Sequence, residues 1–321
     1  MPLPEAPANR QAERFVTLFD ARFLAMGLAL YQSLVAQARP FVLWVVCMDE
    51  EVEAALRHLQ LEHLRLLPVA ELETARLLAV KPTRSSREYC WTLTPFVPAA
   101  VLARDPEAER VTYLDADLYF FGAPAVLLDE LTTSGKDVLI TAHAYAPPYA
   151  DTEARNGRFC VQFLCFRRSP QAQQVMDWWQ ERCLEWCYNR YEGDKFGDQK
   201  YLDAWPQLFA AQVHVATQTE CTLAPWNAAH FYRLGKARPV FFHFQGFRLV
   251  SAASAVLCAG YEITPPVQAL YDQYLAAIRQ TLGLMRNTGI ALQLVPRATG
   301  AVQYLRDLRN RLSGNTLWAR I

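Results

Sequence analysis

Short apolar runs alternate with amphipathic segments along the first two thirds of the chain. Arg14–Phe19, Phe41–Cys47 and Leu64–Leu67 are apolar runs of strand length. Between them, Phe23–Ala38 carries Phe23, Met26, Leu30 and Leu34 at helical spacing, and Glu51–Leu59 reads as a second helix. Lys81–Glu88 is a polar, basic loop. Tyr89–Ala103 is predicted helical, with Pro95 and Pro98 marking breaks or a helix start. Val111–Leu114, Asp137–Ala142 and Phe159–Phe166 are further strands. Gln171–Tyr188 follows as a strong helix, with Val175, Trp179, Cys183, Trp186 and Cys187 on one face. After Val240–Phe244 the pattern becomes helical. This alternation predicts a single α/β domain over 14–250, with a mostly parallel central sheet and ligands at the strand C-termini. A flexible tail over 1–13 precedes it and a helical extension over 251–321 follows.

Composition narrows the function classes. The 321 residues include 32 Lys+Arg and 32 Asp+Glu, so the formal net charge is zero, which argues against a nucleic-acid binder. The longest apolar run, Phe41–Met48, is far short of a bilayer span. The start of the chain has no basic or apolar leader, so the expected location is cytoplasmic. Eight Cys sit mostly in apolar runs and read as small hydrophobes. A zinc site from Cys160, Cys165, Cys183 and Cys187 is the minor alternative, weakened by the absence of CxxC spacing.

The chemistry concentrates where Val111–Leu114 ends in Asp115-Ala116-Asp117. Alternate residues of an extended chain share a face, so both carboxylates project together. Their repulsion calls for a counter-charge, which a hard divalent cation supplies while bridging to a diphosphate. The bland reading is a pair of solvated loop aspartates. Two later segments suit the same site. Phe196-Gly197-Asp198-Gln199 sets an acid beside an amide, although Asp198 reads equally well as a helix N-cap. His243 lies in the aromatic strand Phe241–Phe244, as a core histidine or a metal ligand.

Together these segments resemble the nucleotide-sugar-dependent glycosyltransferases of the GT-A fold. The layout is nearest to family 8, which contains glycogenin and bacterial lipooligosaccharide galactosyltransferases. It falls here at Phe15–Leu34, Tyr113–Asp117, Phe159–Phe166, Asp198–Gln199 and His243–Gly246, over roughly residues 14–250. The Arg87–Pro95 stretch, together with the Tyr113–Phe121 and Phe196–Leu202 stretches, also resembles bacterial transferases of surface-polysaccharide synthesis. The resemblance implies that Asp115, Asp117 and His243 hold Mn²⁺ or Mg²⁺ on the donor diphosphate. Phe19, Asp20, Arg87 and Ala116 would join the two aspartates in contacting the donor nucleotide, with a UDP-sugar favoured. Asp198, Gln199 and Gln162 would lie at the reacting sugar, and transfer would retain configuration. The chain departs from family 8 at three places, the first being that the basic residue near Arg87 lies further upstream of Asp115-Ala116-Asp117 than is usual. Cys160-Val161-Gln162 stands where asparagine-x-glycine is usual, so Gln162 is either a substitute polar contact or an ordinary strand residue. Leu249, beside Arg248, stands where a lysine is usual.

Trp226 could stack on a sugar face with Asn227 bonding its hydroxyls, or be a buried turn tryptophan. His143 and Tyr145 follow a strand end, on the acceptor side or as loop residues in solvent. Residues 291–321 carry five Arg and one Asp with Val302, Leu305, Leu308 and Leu312 at helical spacing. That is either a helix packed on the domain or a peripheral contact with the inner membrane face, where a lipid-linked acceptor would sit. The expected partners are a nucleotide sugar and a glycan or lipid-linked acceptor. Two other functions compete. One is a haloacid-dehalogenase-type phosphatase, which shares strand–aspartate–x–aspartate but places it on its first strand. The other is a non-catalytic GT-A domain that only binds a sugar nucleotide.

Overall fold

The computed structural model describes residues 12–294 and 316–321. The tail reading of 1–13 and the amphipathic reading of 291–321 fall largely outside these residues. The chain opens with β1 (Glu13–Phe19), α1 (Leu24–Gln37), β2 (Phe41–Cys47), α2 (Glu50–Leu59) and β3 (Leu64–Pro68). The short α3 (Ala75–Val80) leads to α4 (Ser86–Leu93) and α5 (Phe96–Arg104). Pro95, expected to mark a break or a helix start, separates these last two. Then come β4 (Arg110–Leu114), β5 (Leu118–Phe120), α6 (Ala125–Ser134), β6 (Val138–Ala142), α7 (Asp151–Asn156), β7 (Phe159–Arg167) and α8 (Pro170–Glu185). The remainder comprises α9 (Trp205–Leu208), β8 (Val213–Val215), β9 (Thr222–Leu223), α10 (Ala228–Arg233), β10 (Phe241–His243), β11 (Arg248–Ser251), β12 (Ser254–Ala259), α11 (Pro265–Asn287) and β13 (Thr316–Arg320).

The central sheet has the order β3-β2-β1-β4-β7-β6-β8. All its pairings are parallel except the two made by β7, which runs against β4 and β6. Both faces are covered, which is why these strands read as unbroken apolar runs. Phe15, Leu43 and Phe163 pack under α1 and α11 on one side. Val16, Val46 and Leu164 pack against Val101 of α5 and Trp179 of α8 on the other. The order reverses beside β1, since β2 lies on one side and β4 on the other. A crevice opens at such a reversal, at the carboxyl ends of the two strands. Here those ends are Phe19–Asp20 and Leu114–Asp115.

Two small sheets sit beyond the main one, β5-β10-β9 and β11-β12-β13. The second was not anticipated: the C-terminal part contains the long helix α11, but three short strands flank it. No described helix is long and apolar enough to cross a membrane.

Glu130 of α6 ties the end of β8 to the body. Its carboxylate accepts from the Thr217 and Gln218 backbone N–H groups at 2.8 and 3.2 Å and lies 3.1 Å from His214 Nε2. Burial alone would raise its pKa; these bonds outweigh that and hold it below the usual glutamate value. A group lowered in the folded state stabilises it above the unfolded pKa and loses that contribution as pH falls through the folded one. Glu130→Ala should therefore cost about 3 kcal/mol at neutral pH in urea unfolding. The gap to wild type should close in acid, below about pH 4.

Candidate active site

The Asp115-Ala116-Asp117 turn leaves β4 and leads directly into β5. β5 pairs antiparallel with β10, with His243 opposite Leu118. The Phe244 N–H donates to the Asp117 carbonyl at 2.9 Å, and the Asp115 N–H donates to the Gln162 carbonyl at 3.1 Å. Segments more than a hundred residues apart are thus fixed by main-chain bonds around one point. His243 Nε2 lies 3.2 Å from Asp117 Oδ1 and 3.6 Å from Asp115 Oδ2. A ligand atom from each of the three residues lies within 4.8 Å of the others. Two carboxylates and an imidazole converging in this way form a donor set suited to Mn²⁺ or Mg²⁺.

The electrostatics show how strongly these groups act on one another. Burial and the Asp117 charge raise the Asp115 pKa to about 6, against the pull of His243. Burial opposes charge on His243, but the neighbouring Asp117 carboxylate lifts its pKa well above the usual histidine value. Tyr113 Oη donates to Asp115 Oδ1 at 3.0 Å and fixes that carboxylate from below.

The other expected site residues divide. Asp198 belongs to the cluster: it is buried, and burial followed by the Asp115 charge raises its pKa to about 8. It is not a helix N-cap, since the short helical turn that follows begins at Lys200. Gln162 is fully buried, with Oε1 2.7 Å from His243 Nδ1. Ala116 is buried within the turn. Gln199 turns aside, its amide donating to the Asn156 carbonyl at 2.6 Å.

A cleft of about 310 Å³ lies at the end of β1, lined in part by Asp20, Arg22, Asp49, Arg84 and Tyr89. Cys90, also in its wall, is within electrostatic reach of Asp20 and Asp198. Asp20 lines it. The Phe19 ring does not; it is buried against α1, where a Cβ on Gly27 would come within 2.5 Å of it. Arg87 is exposed and outside the cleft wall. Arg84 stands there instead, its guanidinium 3.9 Å from the Tyr188 ring centroid; among the described residues no carboxylate lies within ion-pair distance of it, although its charge helps hold the Glu88 pKa down. Arg84 precedes the Ser85 cap, whereas Arg87 lies exposed in the first turn of α4.

Trp226 is a wall rather than a platform. It is buried, donates to the His143 carbonyl at 2.6 Å and meets the His243 ring edge-on at 5.6 Å. Asn227 has no amide hydrogen left for a sugar: Nδ2 donates to the carbonyls of His143 and Thr222, and Oδ1 accepts from the Ala224 N–H. His143 is not in solvent. It is buried, stacks on Tyr145 at 4.7 Å, and is held neutral by burial and the His243 charge, with its pKa lowered to about 3. The cysteine quartet does not assemble. All eight cysteines are free, and the Asp115–Asp117–His243 cluster is the metal-competent group found among the described residues.

The fold and this site define the class. The structure superposes on the galactosyltransferase LgtC, solved with donor and acceptor sugar analogs, with a TM-score of 0.54 at 15% identity, over 86% of this chain and 99% of that one. It also superposes on the bifunctional glycosyltransferase WbbM, with a TM-score of 0.52 at 14% identity, over 87% of this chain and 52% of that one. The fold is the GT-A fold. No protein-family model matches the chain. YfnF of Bacillus subtilis (strain 168), an uncharacterised protein, is 34% identical over 252 residues, 74% of this chain and 82% of YfnF. YfnD of the same organism, also uncharacterised, is 28% identical over 279 residues, 83% of this chain and 88% of YfnD. The chain belongs to the family of YfnF.

Since Asn227 serves the turn, its loss should register in stability. Asn227→Ala leaves buried backbone groups unpaired and should cost about 2–4 kcal/mol in denaturant unfolding. A loss below 0.5 kcal/mol, on the order of a surface change, would contradict the structural role.

Proposed function

We propose that this chain is a metal-dependent glycosyltransferase, moving a sugar from a nucleoside-diphosphate sugar to an acceptor hydroxyl. The observation that carries the reading is the convergence of Asp115, Asp117 and His243 Nε2 at the end of β4, where the strand order reverses beside β1. The fold shared with LgtC and WbbM, proteins described as glycosyltransferases, supports it. A Mn²⁺ or Mg²⁺ held by these three residues would neutralise the charge that grows on the departing diphosphate.

The chain's own residues supply the rest. Asp20 and Tyr89 border the nucleoside end of the cleft, with UDP the favoured nucleotide. Arg84 offers the donor a cation in the cleft wall, in the role first expected of Arg87. Asp198, buried beside Asp115, faces the transferred sugar, and transfer retains configuration. The acceptor is a glycan or a lipid-linked saccharide in surface-polysaccharide synthesis. The basic stretch 291–321 would bring the enzyme to the inner membrane face; that part of the reading rests on the sequence alone. The phosphatase alternative is not favoured. Asp115 follows the fourth strand rather than the first, and Asp117 is engaged by His243. Nor does a purely binding domain require the complete donor set that is present here.

A thermal-shift screen of UDP, GDP, CDP, ADP and dTDP, each with and without Mn²⁺, tests the reading. UDP with Mn²⁺ should raise the midpoint, and Asp117→Asn should abolish the rise. Ligand at a hundredfold excess over Kd adds about 2.7 kcal/mol to stability. Arg84→Ala should weaken nucleotide binding about tenfold in calorimetry, while Arg87→Ala leaves it within twofold; each tenfold is about 1.4 kcal/mol. No metal-dependent stabilisation by any of the nucleotides would reject the assignment.

A further inference from the structure

We infer that Gln162 is the positioning residue for His243, holding its ring so that Nε2 is presented to a divalent cation between Asp115 and Asp117. The inference rests on the metal-dependent reading above and adds a residue to it. Gln162 is fully buried, and its Oε1 lies 2.7 Å from His243 Nδ1. The opposite ring nitrogen faces both carboxylates. A histidine that binds metal through one nitrogen needs the proton on the other, and the hydrogen-bond partner there fixes tautomer and ring plane. Gln162 is placed to do this.

The local backbone explains how a strand residue comes to serve that end. The β6–β7 register shifts between Leu139 and Thr141: Leu139 pairs with Cys165, but Thr141 pairs with Cys160. Extra residues on β7 therefore bulge out of the ladder. Phe163 and Cys165 pack in the cluster under α1, while Val161 and Leu164 pack in the opposite one, so strict alternation fails at Gln162–Phe163. Bulges re-aim side chains in this way. The Asp115 N–H, bonded to the Gln162 carbonyl, locks the bulge to the metal-binding turn.

The direction of the amide follows from the metal-binding tautomer of His243. A ring that offers Nε2 to a metal carries its proton on Nδ1, which donates. The partner of Nδ1 must then be the Gln162 oxygen. That choice leaves Gln162 Nε2 buried without a partner. A buried unpaired amide costs stability. The chain tolerates this to keep an acceptor at Nδ1. With a cation at Nε2, the Nδ1 proton would stay on the ring and donate to Gln162 Oε1.

Two variants separate positioning from packing. Gln162→Met keeps length and removes the acceptor. Gln162→Glu keeps an acceptor of nearly the same shape. The readout is Mn²⁺ binding to the nucleotide-free protein, by electron paramagnetic resonance of free Mn²⁺, with the unfolding midpoint measured alongside. Gln162→Met should weaken Mn²⁺ binding about 10–100-fold. Gln162→Glu should bind at least as tightly as wild type. Equal affinity in wild type and Gln162→Met would overturn the inference. So would a Gln162→Glu protein that folds but binds more weakly than wild type, and this second test stands even if Gln162→Met does not fold. Failure of the broader reading looks different: wild type and Asp117→Asn would then be alike in binding no Mn²⁺.

Discussion

The site depends on one antiparallel pairing. β10 comes more than a hundred residues after the aspartates, and it reaches them only because it lies against β5, the strand that follows them directly. His243 opposite Leu118 and the Phe244 N–H on the Asp117 carbonyl put the imidazole where the carboxylates are. A slip of one residue would send the His243 ring to the other face, because side chains alternate along a strand. The aromatic packing around β10 resists that slip: Phe241 stacks on Phe163 at 5.6 Å and meets Phe120 at 5.8 Å, while Phe242 packs on Tyr271 of α11 at 5.5 Å. The register that serves function is thus held by apolar burial away from the site.

The cluster is costly for the protein on its own. Three acidic groups, Asp115, Asp117 and Asp198, crowd a buried region, and two of them have raised pKa values. Like charges in low dielectric disfavour each other's ionisation. A fold under selection for stability alone would replace them with apolar residues, as buried ion pairs often can be. Their presence at the crevice between β1 and β4 makes sense if a bound cation discharges the repulsion. The same carboxylates favour the charged form of His243.

Much of the fold could be read from the chain. Unbroken apolar runs such as Phe41–Cys47 announced strands buried on both faces, and the helical spacing of Phe23–Ala38 announced α1. Asp115 and Asp117 were legible because an apolar strand stops at them. What could not be read depends on tertiary pairing. Asn227 and Trp226 look like sugar contacts in sequence, but their polar groups are consumed by the His143 carbonyl, a partner more than eighty residues away. Arg84 and Arg87 sit three residues apart in one basic loop, and only the helix start at Ser86 decides which faces the cleft. Gln162 was ambiguous because a regular strand would have fixed its face by parity, whereas the irregular β6–β7 register removes that rule.

The cleft and the acidic cluster also share their supports. Glu88 closes the capping box at the start of α4 and accepts from the Asn189 N–H at 2.8 Å. Arg84, in the cleft wall, stacks on Tyr188. Phe196 packs on Trp91 of α4 at 6.2 Å, and a Cβ on Gly197, at φ +54°, would come within 3.3 Å of that same indole. The segment from Tyr188 to Gly197 is therefore laid along α4 and ends at Asp198, which the Trp179 indole holds through its carbonyl at 2.9 Å. One short helix carries part of the cleft wall on its leading edge and the approach to Asp198 along its side. A substitution in α4 thus acts on the cleft and on the approach to Asp198 together. The two separate instead at β10 and β7, whose His243 and Gln162 meet the cluster and are not in the cleft wall.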